Sequence, residues 1–175
     1  MIQRRTIFET ERLIVRLYDL YDEESFFRLN GDEEIVRYIR PAKNREECNL
    51  FLREVIQFSE SNPLIGRWAV DQKATGINIG MFAIIPVDNT GKLQLGYSLL
   101  KDSWGKGYAT ELTVEGIHYF FSQFDRSEIY ALTESANIAS QKVLVKCGFQ
   151  VNETYTKNEK EVIEYIYLKI GENPI

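Results

Sequence analysis

The feature that most restricts the fold of this chain is a glycine loop joining a strand directly to a helix. Residues 92–101 read as a strand, and Trp104-Gly105-Lys106-Gly107-Tyr108-Ala109-Thr110 follows. From there Ala109, Leu112, Thr113, Gly116, Ile117, Phe120, Phe121 and Phe124 recur at the i, i+3, i+4 spacing of an amphipathic helix. A helix that opens from such a loop presents unpaired backbone N–H groups and the positive end of its dipole, and phosphate is their natural ligand. Gly105 and Gly107 let the backbone approach a diphosphate with no Cβ in the way, and Lys106 adds a positive charge. The same glycine pair also suits a plain tight turn, so the loop taken alone leaves both readings open.

Other nucleotide folds fit poorly. A triphosphate-binding P-loop needs Ser or Thr after its Gly-Lys, and Lys106 is followed by Gly107. A dinucleotide fingerprint needs a third glycine where Thr110 stands, and it normally opens the fold, whereas this loop lies past the middle of the chain.

The rest of the chain reads as one mixed sheet flanked by helices, with no internal repeat or linker. Leu13, Val15 and Leu17 alternate with Arg12, Ile14 and Arg16, so the chain is expected to open with a strand that turns one face inward. Asp22 precedes a short acidic-headed helix with Phe26, Phe27 and Leu29. A second helix starts at Asn44, with Glu47 completing a capping box, and stops at Asn62-Pro63. Residues 67–87 read as a hairpin turning at Thr75-Gly76, and Asp88-Asn89-Thr90-Gly91 turns into the 92–101 strand. After the long helix come a strand over residues 128–133, a helix over 139–146 stopping at Cys147-Gly148, and a hairpin of 149–156 with 162–170.

A length of 175 residues suffices for one domain, 1–175, and 13% aromatic residues argue against a disordered chain. The net charge of -5 disfavours nucleic acid, whose binding depends on clustered Lys and Arg. The start, Met1-Ile2-Gln3-Arg4-Arg5, is followed by no apolar run of signal-peptide length, and no stretch could span a bilayer, so a cytoplasmic protein is expected. Cys48 and Cys147 show neither a disulfide framework nor the spacing of a metal site, and both read as core or half-buried thiols.

A second segment, Asn137-Ile138-Ala139-Ser140-Gln141-Lys142-Val143-Leu144 and then Lys146-Cys147-Gly148-Phe149, gives the loop a context. With it the chain resembles the GNAT superfamily of N-acetyltransferases. Thr10-Glu11-Arg12-Leu13-Ile14-Val15-Arg16, the loop with Glu111, and Asn137-x-Ala139-Ser140 together look like its RimJ/RimL-type branch. The resemblance covers nearly the full chain. It implies an α/β fold whose mostly antiparallel sheet of about seven strands parts between the fourth (92–101) and the fifth (128–133), flanked by about four helices.

The resemblance also implies acetyl-CoA as the donor and a primary amine as acceptor: a protein N-terminus, a polyamine or an amine-bearing small molecule. Monomer and homodimer both stay open, and so does a non-catalytic acyl-CoA-binding module. The cofactor would contact Leu99, Leu100, Trp104, Gly105, Lys106, Gly107, Tyr108, Ala109, Thr110, Asn137 and Ser140. An N–H near Leu99 or Leu100 would face the acetyl carbonyl as an oxyanion donor. Two departures stand out. Trp104 replaces the Gln or Arg that opens the family's loop pattern, and Leu144 takes the place of a Tyr that serves some members as general acid.

Ser140 is the candidate to protonate the thiolate, and Glu134 is one candidate base. Each also has a plain reading, an early-helix hydroxyl and a solvated loop charge, just as Asn137 is also an N-cap. Glu153, Glu159 and Glu161 are further carboxylates that the sequence does not rank. His118, off the Phe stripe of its helix, receives no role, and Tyr97 suits either the acceptor cleft or sheet packing.

Overall fold

The computed structural model describes residues 5–169. In chain order its elements are β1 (Thr6–Glu9), β2 (Leu13–Arg16), α1 (Glu23–Asn30), α2 (Glu33–Val36), α3 (Arg45–Ser61), β3 (Gly66–Gln72), β4 (Asn78–Pro86), β5 (Leu93–Leu99), α4 (Tyr108–Gln123), β6 (Glu128–Glu134), α5 (Ile138–Lys146), β7 (Gln150–Lys157) and β8 (Lys160–Leu168). The strands form one sheet in the order β1-β2-β3-β4-β5-β6-β8-β7. Every neighbouring pair is antiparallel except β5 and β6. Met1 to Arg4, and Ile170 at the end of the expected last strand, lie outside the described residues.

The parallel pair is the exception that shapes the molecule. β5 and β6 share a single registered position, Gln94 opposite Tyr130, near the start of both strands, and beyond it they part. Lys92 closes that end: its Nζ lies 2.7 Å from the Glu164 carboxylate on β8 and 4.5 Å from the centre of the Tyr130 ring. The C-terminal ends, Leu99 and Glu134, are therefore the open ends of a wedge. The expected separation of the 92–101 and 128–133 strands is what the sheet shows.

Both faces of the sheet are covered. Trp68, Val70, Phe82 and Ile84 of β3 and β4 pack with Leu112, Ile117 and Phe120 of α4. The intervening Ala69 and Met81 pack on the other side with Phe26, Leu29, Leu52 and Val55 of α1 and α3. Strand alternation thus feeds two cores. Helix α3 begins as its sequence predicts, with the Asn44 side chain accepting from the Glu47 N–H at 2.9 Å and Glu47 accepting from the Asn44 N–H at 2.8 Å.

The structure corrects several expectations. Among the described residues the first strand is β1, not the strand at Leu13; β1 pairs antiparallel with β2 at the sheet edge. A further short helix, α2, follows α1. The 92–101 strand stops at Leu99 and passes into a 3-10 turn over Lys101–Ser103.

The alternation at Leu13 to Leu17 puts Arg16 on the face opposite Leu13 and Val15, yet Arg16 is 3% exposed. The reason is that α1 to α3 cover that face, so its polar residue must be paired internally. The guanidinium meets Asp71 at 2.5 and 3.1 Å and Asp22 at 2.8 and 2.9 Å. Burial works against the charge on Arg16, but the two carboxylates outweigh it and hold the group above its ordinary pKa. Asp22, expected to head α1, spends its side chain here and on the Asp19 N–H at 3.0 Å. Replacing Arg16 by Met would leave the Asp22 and Asp71 carboxylates without that cation, and the free energy of unfolding is expected to fall by about 3–5 kcal/mol at neutral pH, measured by urea denaturation.

Candidate active site

Main-chain direction settles which groups face the wedge. The Leu100 N–H donates to the Ile79 carbonyl on β4 at 2.8 Å. Successive residues of a strand point their hydrogen-bonding groups to opposite edges, so Leu99 turns its N–H and C=O away from β4, toward the gap before β6. The Leu99 carbonyl accepts from the Trp104 indole N–H at 2.8 Å. The indole therefore folds back over the strand end, while the residue stays 46% exposed.

Beyond the turn, Gly105 and Gly107 have φ of +72° and +82°. Both lie in the left-handed region, so the chain path itself calls for glycine. A Cβ on Gly105 would meet nothing within 4 Å, and one on Gly107 would meet only the Arg12 guanidinium, at 3.4 Å. Gly107 occupies the N-cap position and offers no side chain to the helix, and the first backbone bond of α4 runs from Glu111 N–H to the Gly107 carbonyl at 3.1 Å. Among the described residues the N–H groups of Tyr108, Ala109 and Thr110 have no protein acceptor. A helix start with free N–H groups can receive an anion, and this one is set at the open end of the wedge.

The loop is also gripped from outside. The Arg12 guanidinium donates to the Lys106 carbonyl at 3.0 Å and to the Glu111 carboxylate at 2.7 Å, and it lies 4.4 Å from the centre of the Tyr108 ring. The Arg12 N–H reaches the same carboxylate at 2.8 Å, and the Thr10 hydroxyl donates to it as well. Burial acts to raise the Glu111 pKa, but Thr10 and Arg12 outweigh it and hold the group below the ordinary carboxylate value. Tyr108 is buried, and its hydroxyl accepts from the Gln72 side chain at 2.8 Å. The Thr10 to Arg16 segment and the glycine loop, distant in sequence, thus meet in space.

On the other wall of the wedge Asn137 caps α5, its side chain accepting from the Ser140 N–H at 3.1 Å. The Ser140 hydroxyl interacts with that of Tyr97 on β5, and burial pushes the Tyr97 phenol up to about 12, with Ser140 pulling it partly back. At the far end of α5 the Cys147 thiol points to the Thr110 carbonyl at 3.8 Å, and burial raises its pKa. Leu144, on the same helix, is packed in the core.

The carboxylates sort differently. Glu134 is bonded to Lys160 at 2.6 Å. Glu159 stands in the β7–β8 turn with φ of +64°, and Glu153 lies 3.8 Å from Lys92. The His118 side chain is 68% exposed beside Glu115. A hollow of about 380 Å³ opens past the end of β5, between Phe27 and Ile35 on one side and Leu100 and Lys101 on the other. Sequence reasoning missed the Arg12–Glu111 grip and the Tyr97–Ser140 contact. The only signal for the first was that Arg12 falls in the Thr10 to Arg16 motif and Glu111 directly follows the glycine loop.

An uncapped helix start beside two parted parallel strands is an arrangement that suits an anionic, phosphate-bearing ligand in an α/β fold. The comparisons with known proteins make this specific. The family model described as Acetyltransferase (GNAT) domain matches residues 12–150. The uncharacterized N-acetyltransferase p20 of Bacillus licheniformis is 31% identical over 147 residues, 81% of this chain and 80% of its own. Among solved structures, a GNAT-family acetyltransferase from Bacillus anthracis superposes with a TM-score of 0.80 at 19% identity, covering 91% of this chain and 96% of that one. RimL, a ribosomal L7/L12 alpha-N-protein acetyltransferase in complex with coenzyme A, gives 0.79 at 13% identity, covering 94% and 98%. The chain belongs to the GNAT acetyltransferase family. It is an acetyl-CoA-dependent N-acetyltransferase, and RimL shares its fold.

Gly107→Val would place a β-branched side chain at a left-handed φ and against Arg12. Its affinity for CoA, measured by calorimetry, is expected to fall by more than about tenfold, and by more than that of Gly105→Ala, whose Cβ meets open space. Unchanged affinity would count against the loop as the cofactor site.

Proposed function

We propose that this protein transfers the acetyl group of acetyl-CoA directly to a primary amine, with no covalent enzyme intermediate. The observation that carries the proposal is the set of unpaired N–H groups at the start of α4, opening on the end where β5 and β6 part. The amides of residues 105–110 would hold the diphosphate, and the Leu99 N–H and the Asn137 amide would flank the pantetheine arm. When bound, acetyl-CoA supplies an activated thioester.

The residues of the chain then have separate tasks. Leu99 is the better of the two expected oxyanion donors, since the Leu100 N–H is already given to Ile79. Ser140 is held at the head of α5, its N–H bonded to the Asn137 side chain and its hydroxyl near the Tyr97 phenol. A hydroxyl so placed can deliver a proton to the departing thiolate. Glu134 is less suited to act as base, because its carboxylate is engaged with Lys160. An alkylamine with a pKa of about 10.4 is mostly protonated at neutral pH, so removal of its proton is left to water or to a carboxylate brought by the acceptor's approach.

We infer that the acceptor comes from the side of the hollow beside Leu100, whose rim carries Glu24, Asp32 and Asp102 together with Arg28 and Lys101; Lys101 pairs with Asp32 at 2.9 Å and Arg45 with Glu24 at 2.7 Å, so the charge of the rim does not choose the acceptor. A protein N-terminus, a polyamine and a small-molecule amine are the classes to test. Release of CoA thiol from acetyl-CoA, followed across a panel of such amines at pH 7 to 9, tests the proposal: turnover with at least one amine is expected. Tight binding of acetyl-CoA with no turnover on any of them would leave a binding module instead. Ser140→Ala is expected to lower kcat on the order of 10²-fold while the Kd for CoA changes by less than about threefold. The reverse pattern would make Ser140 a binding residue only.

A further inference from the structure

We infer that Arg12 and Glu111 form a positioning pair that sets the cofactor loop for acetyl-CoA. The inference rests on the diphosphate reading of the loop given above and goes beyond it, because neither side chain belongs to the loop's own amides.

Glu111 lies in the first turn of α4, where its carboxylate would compete for the positive field that a diphosphate needs. Three donors draw it aside: the Arg12 guanidinium at 2.6–2.7 Å, the Arg12 N–H at 2.8 Å, and the Thr10 hydroxyl. Arg12 at the same time cancels the charge. A second hydrogen bond from its fork takes the Lys106 carbonyl at 3.0 Å, so that this oxygen is directed to Arg12 rather than toward a phosphate. The guanidinium also lies over the Tyr108 ring, whose hydroxyl is anchored by Gln72 on β3. A planar fork with donors in fixed directions can serve all three tasks at once, and an ammonium cannot. The turn between β1 and β2 thereby becomes the outer support of a loop that is otherwise exposed.

Two roles are separable by sign. If the pair only braced the fold, the loss of either side chain would lower stability, and the losses would add or merge without favouring either order. If Arg12 shields the diphosphate from Glu111, then Arg12→Ala must be the more damaging single change, and adding Glu111→Gln to it must restore part of the affinity.

The test is calorimetric titration of CoA into the wild type, Arg12→Ala, Glu111→Gln and the double variant, with steady-state kinetics for both substrates. Arg12→Ala is expected to raise the Kd for CoA and the KM for acetyl-CoA by about tenfold to fiftyfold, with kcat at saturation and the KM for the amine within about threefold. Glu111→Gln is expected to change them by less than about fivefold, and the double variant to bind CoA more tightly than Arg12→Ala. Arg12→Lys, which keeps the charge and loses the fork, should fall between wild type and Arg12→Ala, and it keeps the idea testable if Arg12→Ala does not fold. Equal CoA affinity in wild type and Arg12→Lys, or a double variant weaker than Arg12→Ala, would overturn the pairing. Failure of the wild type itself to bind CoA would instead overturn the diphosphate reading.

Discussion

The parting of β5 from β6 is the constraint on which the rest of the site depends. Two parallel strands that stayed paired would use the Leu99 N–H in the sheet, and nothing would be free to face a carbonyl. Here the pair is held only at its foot, by Gln94 opposite Tyr130, and Lys92 closes that foot by reaching β8. Glu164, its partner, is 2% exposed and also accepts from the Asn152 side chain at 2.7 Å. The hydrogen bond from Lys92 to Glu164 raises the pKa of Lys92 and so favours its charged form in the clasp. A clasp at one end and no pairing at the other turns two strands into a wedge, and α5 and the β5–α4 loop form its walls.

The loop at the mouth of the wedge is fixed from two directions before any ligand arrives. Trp104 ties its entry to the Leu99 carbonyl, and Arg12 ties its middle at the Lys106 carbonyl. Gly105 between these points and Gly107 just beyond them, both left-handed, leave the main chain without side-chain cover. Main-chain N–H groups held in this way need little reordering on binding, which is the usual source of affinity in anion sites built from backbone. The replacement of the family's Gln or Arg by Trp104 is then intelligible: the indole N–H acts on the strand end, and the loop keeps its amides.

Much of this was legible in the sequence because it is local. The α4 stripe, the Asn44 capping box, the hairpin at Thr75-Gly76 and the glycine loop are read from neighbouring residues, and the structure contains each of them. What was not legible depends on distant partners. β1 is four residues long at a sheet edge and is only half covered, so it carries no alternation to read. Arg16 looked like a surface residue because the pattern at Leu13 to Leu17 fits a sheet with one wet face, and the second layer of helices that buries it lies elsewhere in the chain. Tyr97 and Ser140 are joined only by the fold, as are Arg12 and Glu111.

The choice between Leu99 and Leu100 shows how fine that dependence is. A slip of one residue between β4 and β5 would exchange the amide that faces the wedge for the one that faces the sheet. Gly80 stands against such a slip. It lies opposite Leu99, and a Cβ there would come within 2.4 Å of the Ser98 carbonyl and 2.6 Å of a Leu99 methyl. Only a residue without a side chain lets β4 approach this closely, and the approach brings the Ile79 carbonyl within 2.8 Å of the Leu100 N–H. A glycine on the neighbouring strand thus fixes, through register, which backbone N–H is left facing the wedge.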